Sequence, residues 1–157
     1  MSTSNIDNFN EVTGKVLAYL YMNFPIPMDL TPSTLGIEEA STGIYDPVSG
    51  TAIGEMPRSD DEIFFFHSIN WLIATGYISA SRYTASTQFC QSVLTAKGLE
   101  VLKATPSSLT SSSFGQQLQE ATSAGMLDTI KGLTNEALSR GIGLASSAAI
   151  AWVSSSS

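Results

Sequence analysis

The chain has 157 residues, 43% of them hydrophobic, and a formal net charge of −7; the length fits one ordinary domain plus an appendage, and the composition excludes disorder throughout. Fourteen carboxylates against seven bases argue against a nucleic-acid binder that draws its affinity from phosphate neutralisation. The charge is uneven, because residues 1–62 carry ten carboxylates with only Lys15 and Arg58, whereas residues 63–157 carry four against five bases.

Met1 to Asn10 lacks the basic and apolar regions of a signal peptide, and a cytoplasmic location is the expectation. Val12, Val16, Leu17, Leu20 and Tyr21 keep helical spacing and predict a helix from about Phe9 to Asn23, ended by Phe24-Pro25-Ile26-Pro27. Between Met28 and Ile37 the pair Thr31-Pro32 fits the start of a short helix. Residues 38–58 hold three glycines, two prolines and the turn-rich run Asp46-Pro47-Val48-Ser49-Gly50, which predicts an inserted loop or small hairpin. Segments of this kind inside compact domains are often binding elements.

Ser59 followed by Glu62 forms a capping-box pattern, with Asp60 and Asp61 suited to the positive end of the helix dipole. Ile63, Phe66, Asn70 and Ile73 trace one face of the helix it opens, and Phe65, Ile69 and Leu72 trace the adjoining one. Gly76 is the expected C-terminal stop. Tyr77–Tyr83 and Gln88–Leu94 alternate as two strands around the small polar run 84–87. Thr95 then caps a helix carrying Leu99, Val101 and Leu102 that stops before Pro106. Cys90 is the one cysteine, so no internal disulfide forms, and its place beside Phe89 in a strand predicts core packing.

The segments Trp71-Leu72-Ile73-Ala74-Thr75-Gly76-Tyr77-Ile78 and Leu94-Thr95-Ala96-Lys97-Gly98-Leu99-Glu100-Val101-Leu102 resemble those flanking the wing of winged-helix proteins. In many bacterial regulators of that superfamily a helix ends in Gly-Tyr-Ile and Leu-Thr-x-Lys-Gly opens the helix after the wing. The resemblance covers roughly a third of the chain and implies the fold more than a function. It implies that the helix opened by Ser59 is the one that would enter the major groove. That helix has no Lys or Arg from Ser59 to Gly76, has three carboxylates, and offers Phe64 and Trp71 as exposed candidates. The wing supplies only Arg82. These residue types oppose a phosphate backbone.

Residues 107–113 read as a serine-rich linker. Residues 114–157 read as a helical C-terminal arm of two helices, whose apolar face is Phe114, Leu118, Leu127, Ile130, Leu133, Ala137 and Leu138. Gly141 and Gly143 predict a bend or a close approach, and from Gly141 to Ser157 no residue is charged. The apolar stretch of that tail, about thirteen residues, would span about 20 Å against a hydrocarbon core of about 30 Å, too short to cross a membrane. Docking on the domain, a twin subunit or a partner is the expectation, with a homo-oligomer formed through the arm.

No catalytic constellation emerges. His67, the sole histidine, stands among Phe64, Phe65 and Phe66 and is expected to pack; Asp60, Asp61 and Glu62 are consecutive and do not converge on one face. There is no Cys/His cluster for zinc, no Walker-type loop and no Gly-x-Ser-x-Gly elbow, and Gly141-Ile142-Gly143-Leu144-Ala145-Ser146 lacks the third glycine of a dinucleotide fingerprint. No cofactor or metal is expected. The sequence therefore reads as α+β and mostly helical: a winged-helix-like domain over 1–106 with the insertion 38–58, the linker, and the arm. The expected role is a non-enzymatic protein-binding module, in concrete form an immunity or antitoxin-type protein covering a basic toxin or nuclease. Glu38, Glu39, Asp46 and Glu55 are its expected contacts. The alternative is a phage or mobile-element regulator binding DNA as a dimer, with Arg82 as the contact.

Overall fold

The computed structural model describes residues 4–39, 44–53, 59–82, 88–104 and 112–155; for residues 44–45, 51–53, 82 and 142–155 the description is of the backbone. The protein is mostly helical with a small antiparallel sheet. Helix α1 spans Asn5–Asn23 and is opened by Ser4, whose Oγ accepts from the Asp7 amide at 3.1 Å. It therefore begins a turn before the position that periodicity indicates. Strand β1, Met28–Leu30, follows, and Thr31 leads into a single 3-10 turn, Pro32–Leu35. The short helix expected over 28–37 is thus a strand and one turn. The Thr31 amide donates to Thr34 Oγ1 (3.1 Å), and Gly36 closes the turn at φ +77°.

The insertion is a hairpin: β2, Ile44–Asp46, pairs antiparallel with β3, Thr51–Ile53. Helix α2, Asp60–Ala74, carries the expected capping box, with the Glu62 amide donating to Ser59 Oγ (3.2 Å) and the Ser59 amide donating to the Glu62 carboxylate (3.4 Å). Gly76, at φ +83°, turns the chain into β4, Ile78–Arg82. Strand β5, Phe89–Leu94, then pairs with both β4 and β1, so the sheet order is β1-β5-β4. A bulge interrupts β5. Gln91 sits at φ +52° with its amide bonded to Asp29 Oδ1 at 3.1 Å, and the register slips against both neighbours there. Phe89 and Cys90 are consequently both buried although adjacent.

Helix α3, Ala96–Lys103, starts from Thr95, whose Oγ1 accepts from the Gly98 amide (3.1 Å) and donates to the Gly76 carbonyl. Lys97 Nζ donates to the Thr75 carbonyl (2.9 Å) and lies 4.3 Å from the centre of the Tyr77 ring. At Gly98 a Cβ would collide with the Tyr77 carbonyl oxygen. The Thr-x-Lys-Gly run thus ties the end of α2 to the start of α3, a structural task that uses all three residues.

Helices α4, Phe114–Ala124, and α5, Leu127–Ser155, complete the chain. Both lie against α1. At Gly14 of α1 a Cβ would meet Thr134 and Ile130 of α5, and at Gly115 of α4 it would meet the Tyr21 ring. Phe114, Leu118, Ile130, Leu133, Ala137 and Leu138 join Leu17, Leu20, Phe65, Ile69, Leu72 and Phe89 in one cluster. The expected boundary near residue 106 therefore does not separate one core from another, and the described packing face of 114–141 is spent on the domain. Leu127 departs from that face and is exposed. The backbone of α5 runs through Gly141 and Gly143 as helix rather than bending. Gly141 is a close approach instead, against Tyr77, whose hydroxyl donates to the Leu138 carbonyl (3.2 Å). Burial pushes the Tyr77 phenol above its ordinary pKa.

Candidate functional site

Helix α2 divides its side chains between two sides. Glu62, Phe65, Ser68, Ile69 and Leu72 are buried, which turns Ile63, His67 and Trp71 outward. His67 is therefore exposed, contrary to the packed position expected from its phenylalanine neighbours: residues consecutive in a helix point about 100° apart and do not surround one another. Ile63, placed by the sequence on an inward face, is 43% exposed for the same reason.

Phe64 and Trp71, seven residues apart, share a side of α2 with His67 and Ser68 between them. On α1, Ile6 and Phe9 are three apart and face them. The six enclose a groove of about 360 Å³ that is almost wholly apolar. Trp71 forms its far wall at 40% exposure, held edge-on by Phe9 (centroids 5.1 Å apart) and stacked on Tyr77 (6.1 Å, 19° between planes). The Ser68 hydroxyl donates to the Phe64 carbonyl at 2.8 Å, so it is satisfied within the helix. Both walls are α-helical, so their central backbone groups are already paired.

Phe64 is shared with a second depression of about 320 Å³, which reaches Asn8 and Glu11 of α1, Asp60 and Asp61 at the start of α2, and Ile37. Polar and apolar groups share its lining, and its charges are Glu11, Asp60 and Asp61 against Lys15. Lys15 on its rim is met by Glu11 at 3.0 Å, while Asp60 and Asp61 are exposed. Capping is carried by Ser59 and Glu62, so these two carboxylates face solvent beside the groove.

Glu38 and Glu39 are exposed and follow directly on Ile37 in the chain. The Glu39 carboxylate accepts from Ser33 Oγ at 2.7 Å. Asp46 lies elsewhere, at the tip of the β2–β3 hairpin. Its carboxylate accepts from the Val48 amide (3.0 Å) and from Ser49 Oγ (2.8 Å), and these bonds hold its pKa below the ordinary carboxylate value. Asp46 therefore shapes the turn, and none of Glu38, Glu39 and Asp46 lines the groove or the depression. Glu55 lies outside the described residues. Arg82 falls in β4, where the backbone alone is described.

Sequence reasoning missed Ile6 because it started α1 at Phe9, and it missed the pairing of α1 with the outer side of α2. Ser4 and Asp7, a serine three residues ahead of a first-turn acid, were the available signal. Among the described residues no group of three or more His, Cys, Asp or Glu side chains could hold a metal ion, and no helix is long and apolar enough to cross a membrane. Compared with known proteins, the chain matches no family model, no curated protein and no solved structure.

Proposed function

We propose that this chain is a winged-helix-type module that binds a protein instead of DNA, acting without catalysis in the cytoplasm through the acidic side of its N-terminal half. The strand order β1-β5-β4 with α2 directly before β4 supports the winged-helix reading. The observation that carries the functional reading is the outer side of α2. Where a DNA reader needs cations, this helix presents Asp60, Asp61, Ile63, His67 and Trp71, and neutralisation of phosphates would find no Lys or Arg on it. Apolar side chains rimmed by carboxylates suit a partner with an apolar anchor and positive charge. An immunity or antitoxin-type role, in which Glu38, Glu39, Asp60 and Asp61 cover a basic toxin or nuclease, is the concrete form of this proposal.

The order of α2, β4 and β5 suits equally the second reading, a dimeric winged-helix regulator that uses Arg82 of each wing. A tagged pull-down from the lysate of the encoding organism, with and without nuclease, separates the two. A stoichiometric basic protein that stays after nuclease, and that rebinds when purified, supports the protein-binding module. Specific DNA fragments lost on nuclease treatment, with no protein retained, overturn it in favour of the regulator.

A further inference from the structure

We infer that the groove between α1 and α2 is the docking site of a cationic amphipathic helix supplied by the partner protein; this rests on the protein-binding reading above and names the element that reading leaves open. Three observations fix the occupant. The first is apolarity: Ile6 and Trp71, at 66% and 40% exposure, flank a floor made by Phe9 and Phe64, so the contacting face must be apolar. The second is the backbone. Both walls are helices whose central amides and carbonyls bond internally, so an extended strand would find nothing to pair with and would bury its own polar groups unmet. A helix brings its hydrogen bonds with it. From Phe64 to Trp71 is about 10 Å along α2, enough for two turns of an occupant with anchors at i, i+3 or i+4, and i+7.

The third observation is charge. Asp60 and Asp61 stand exposed in the depression that shares Phe64 with the groove, and Lys15 there is met by Glu11. A helix lying in the groove would set one end beside these carboxylates, and only Lys or Arg there is favoured. A second copy of this chain is the poorer fit, because α2 carries no Lys or Arg and the one such residue of α1, Lys15, is already met by Glu11, so these carboxylates would find no cation on their twin.

The test uses the full chain and synthetic peptides of about 18 residues, five helical turns. One is a Leu/Lys amphipathic helix, one its Leu/Glu counterpart, and one has the Leu/Lys composition scrambled to destroy the apolar stripe. Calorimetry is expected to show binding of the Leu/Lys helix alone. Trp71→Ala and Ile6→Ser should each weaken it at least tenfold; Ile6 is so exposed that the second variant keeps its fold. Asp60→Asn with Asp61→Asn should weaken it severalfold and flatten its salt dependence. The same charge change at Glu120 and Asp128 should leave it unaltered. Absence of binding, equal binding of the scrambled or Leu/Glu peptide, or indifference to Trp71 and Ile6 would each overturn the inference. So would a dimer of the free protein that Trp71→Ala dissociates, since the groove would then belong to a second copy. A basic protein that is still captured equally by the Trp71→Ala variant would sink the groove assignment and leave the protein-binding reading standing. Nuclease-sensitive DNA alone would sink that reading itself.

Discussion

Replacing Phe114 by alanine asks whether the C-terminal helices belong to the domain. Phe114 is 0% exposed, stands in the same cluster as Leu17 and Phe65, and has the Arg140 guanidinium 5.3 Å from its ring centre. Truncating a fully buried phenylalanine costs about 3–5 kcal/mol, transfer and cavity together, against a total of about 5–15 kcal/mol for a typical domain. With a urea m-value of about 2 kcal/mol/M, the midpoint should fall by about 1.5–2.5 M. The assay is urea unfolding followed by both far-UV circular dichroism and Trp71 fluorescence, in a Trp152→Phe background so that one tryptophan reports. Trp71 lies on α2, where it touches Phe9 of α1 and Tyr77, so its signal follows the N-terminal half of the fold. If the helices share one core, both probes move together by the full amount. A Trp71 transition that keeps its midpoint while a fraction of the circular dichroism signal melts earlier would refute the shared core and restore a separable arm.

Gly98→Ala should destabilise by about 1–3 kcal/mol, seen as a lower thermal midpoint, because its Cβ meets the Tyr77 backbone carbonyl and neither helix α3 nor strand β4 can move freely away. Lys97→Met should cost about 1 kcal/mol in urea unfolding through its bond to Thr75 and its contact with Tyr77; an unchanged midpoint would show that this tie is idle. Trp71→Ala should cost about 2–3 kcal/mol, below the value for a fully buried tryptophan, and leave a folded protein by circular dichroism. Asp46 gives a pH signature: its carboxylate is held below the ordinary value in the folded hairpin, so its contribution is present above the unfolded pKa and is lost as pH falls through the folded one. The protection of the Val48 amide, measured against its intrinsic exchange rate at each pH, should therefore fall in acid, and Asp46→Asn should remove that dependence.

Those elements of the fold with local chemical signatures were legible. The capping box at Ser59, the stop at Gly76 and the Thr95 cap are each written in a few consecutive residues and form as read. The resemblance carried by Gly76-Tyr77-Ile78 and Thr95-x-Lys97-Gly98 is equally local, and the structure shows why it says little about activity: those side chains are consumed in joining α2 to α3. What was not legible depends on distant regions of the chain. The bulge at Gln91 is stabilised by Asp29, 62 residues away, at a residue type that does not announce a positive φ. The outward turn of His67 and Ile63 follows from which stripe of α2 the rest of the core claims. Gly14 and Gly115, unremarkable in sequence, are the places where α1, α4 and α5 come close enough to merge the arm with the domain. Of the expected contacts, Glu38 and Glu39 are exposed, whereas Asp46 is engaged by its own turn.

The most direct measurement of the central claim is the nuclease-treated pull-down run in parallel with the native chain, Trp71→Ala, and Asp60→Asn with Asp61→Asn. The expected result is one basic protein retained by the native chain after nuclease and lost or strongly reduced with both variants. Retention only of specific DNA, abolished by nuclease and indifferent to the three substitutions, would contradict it.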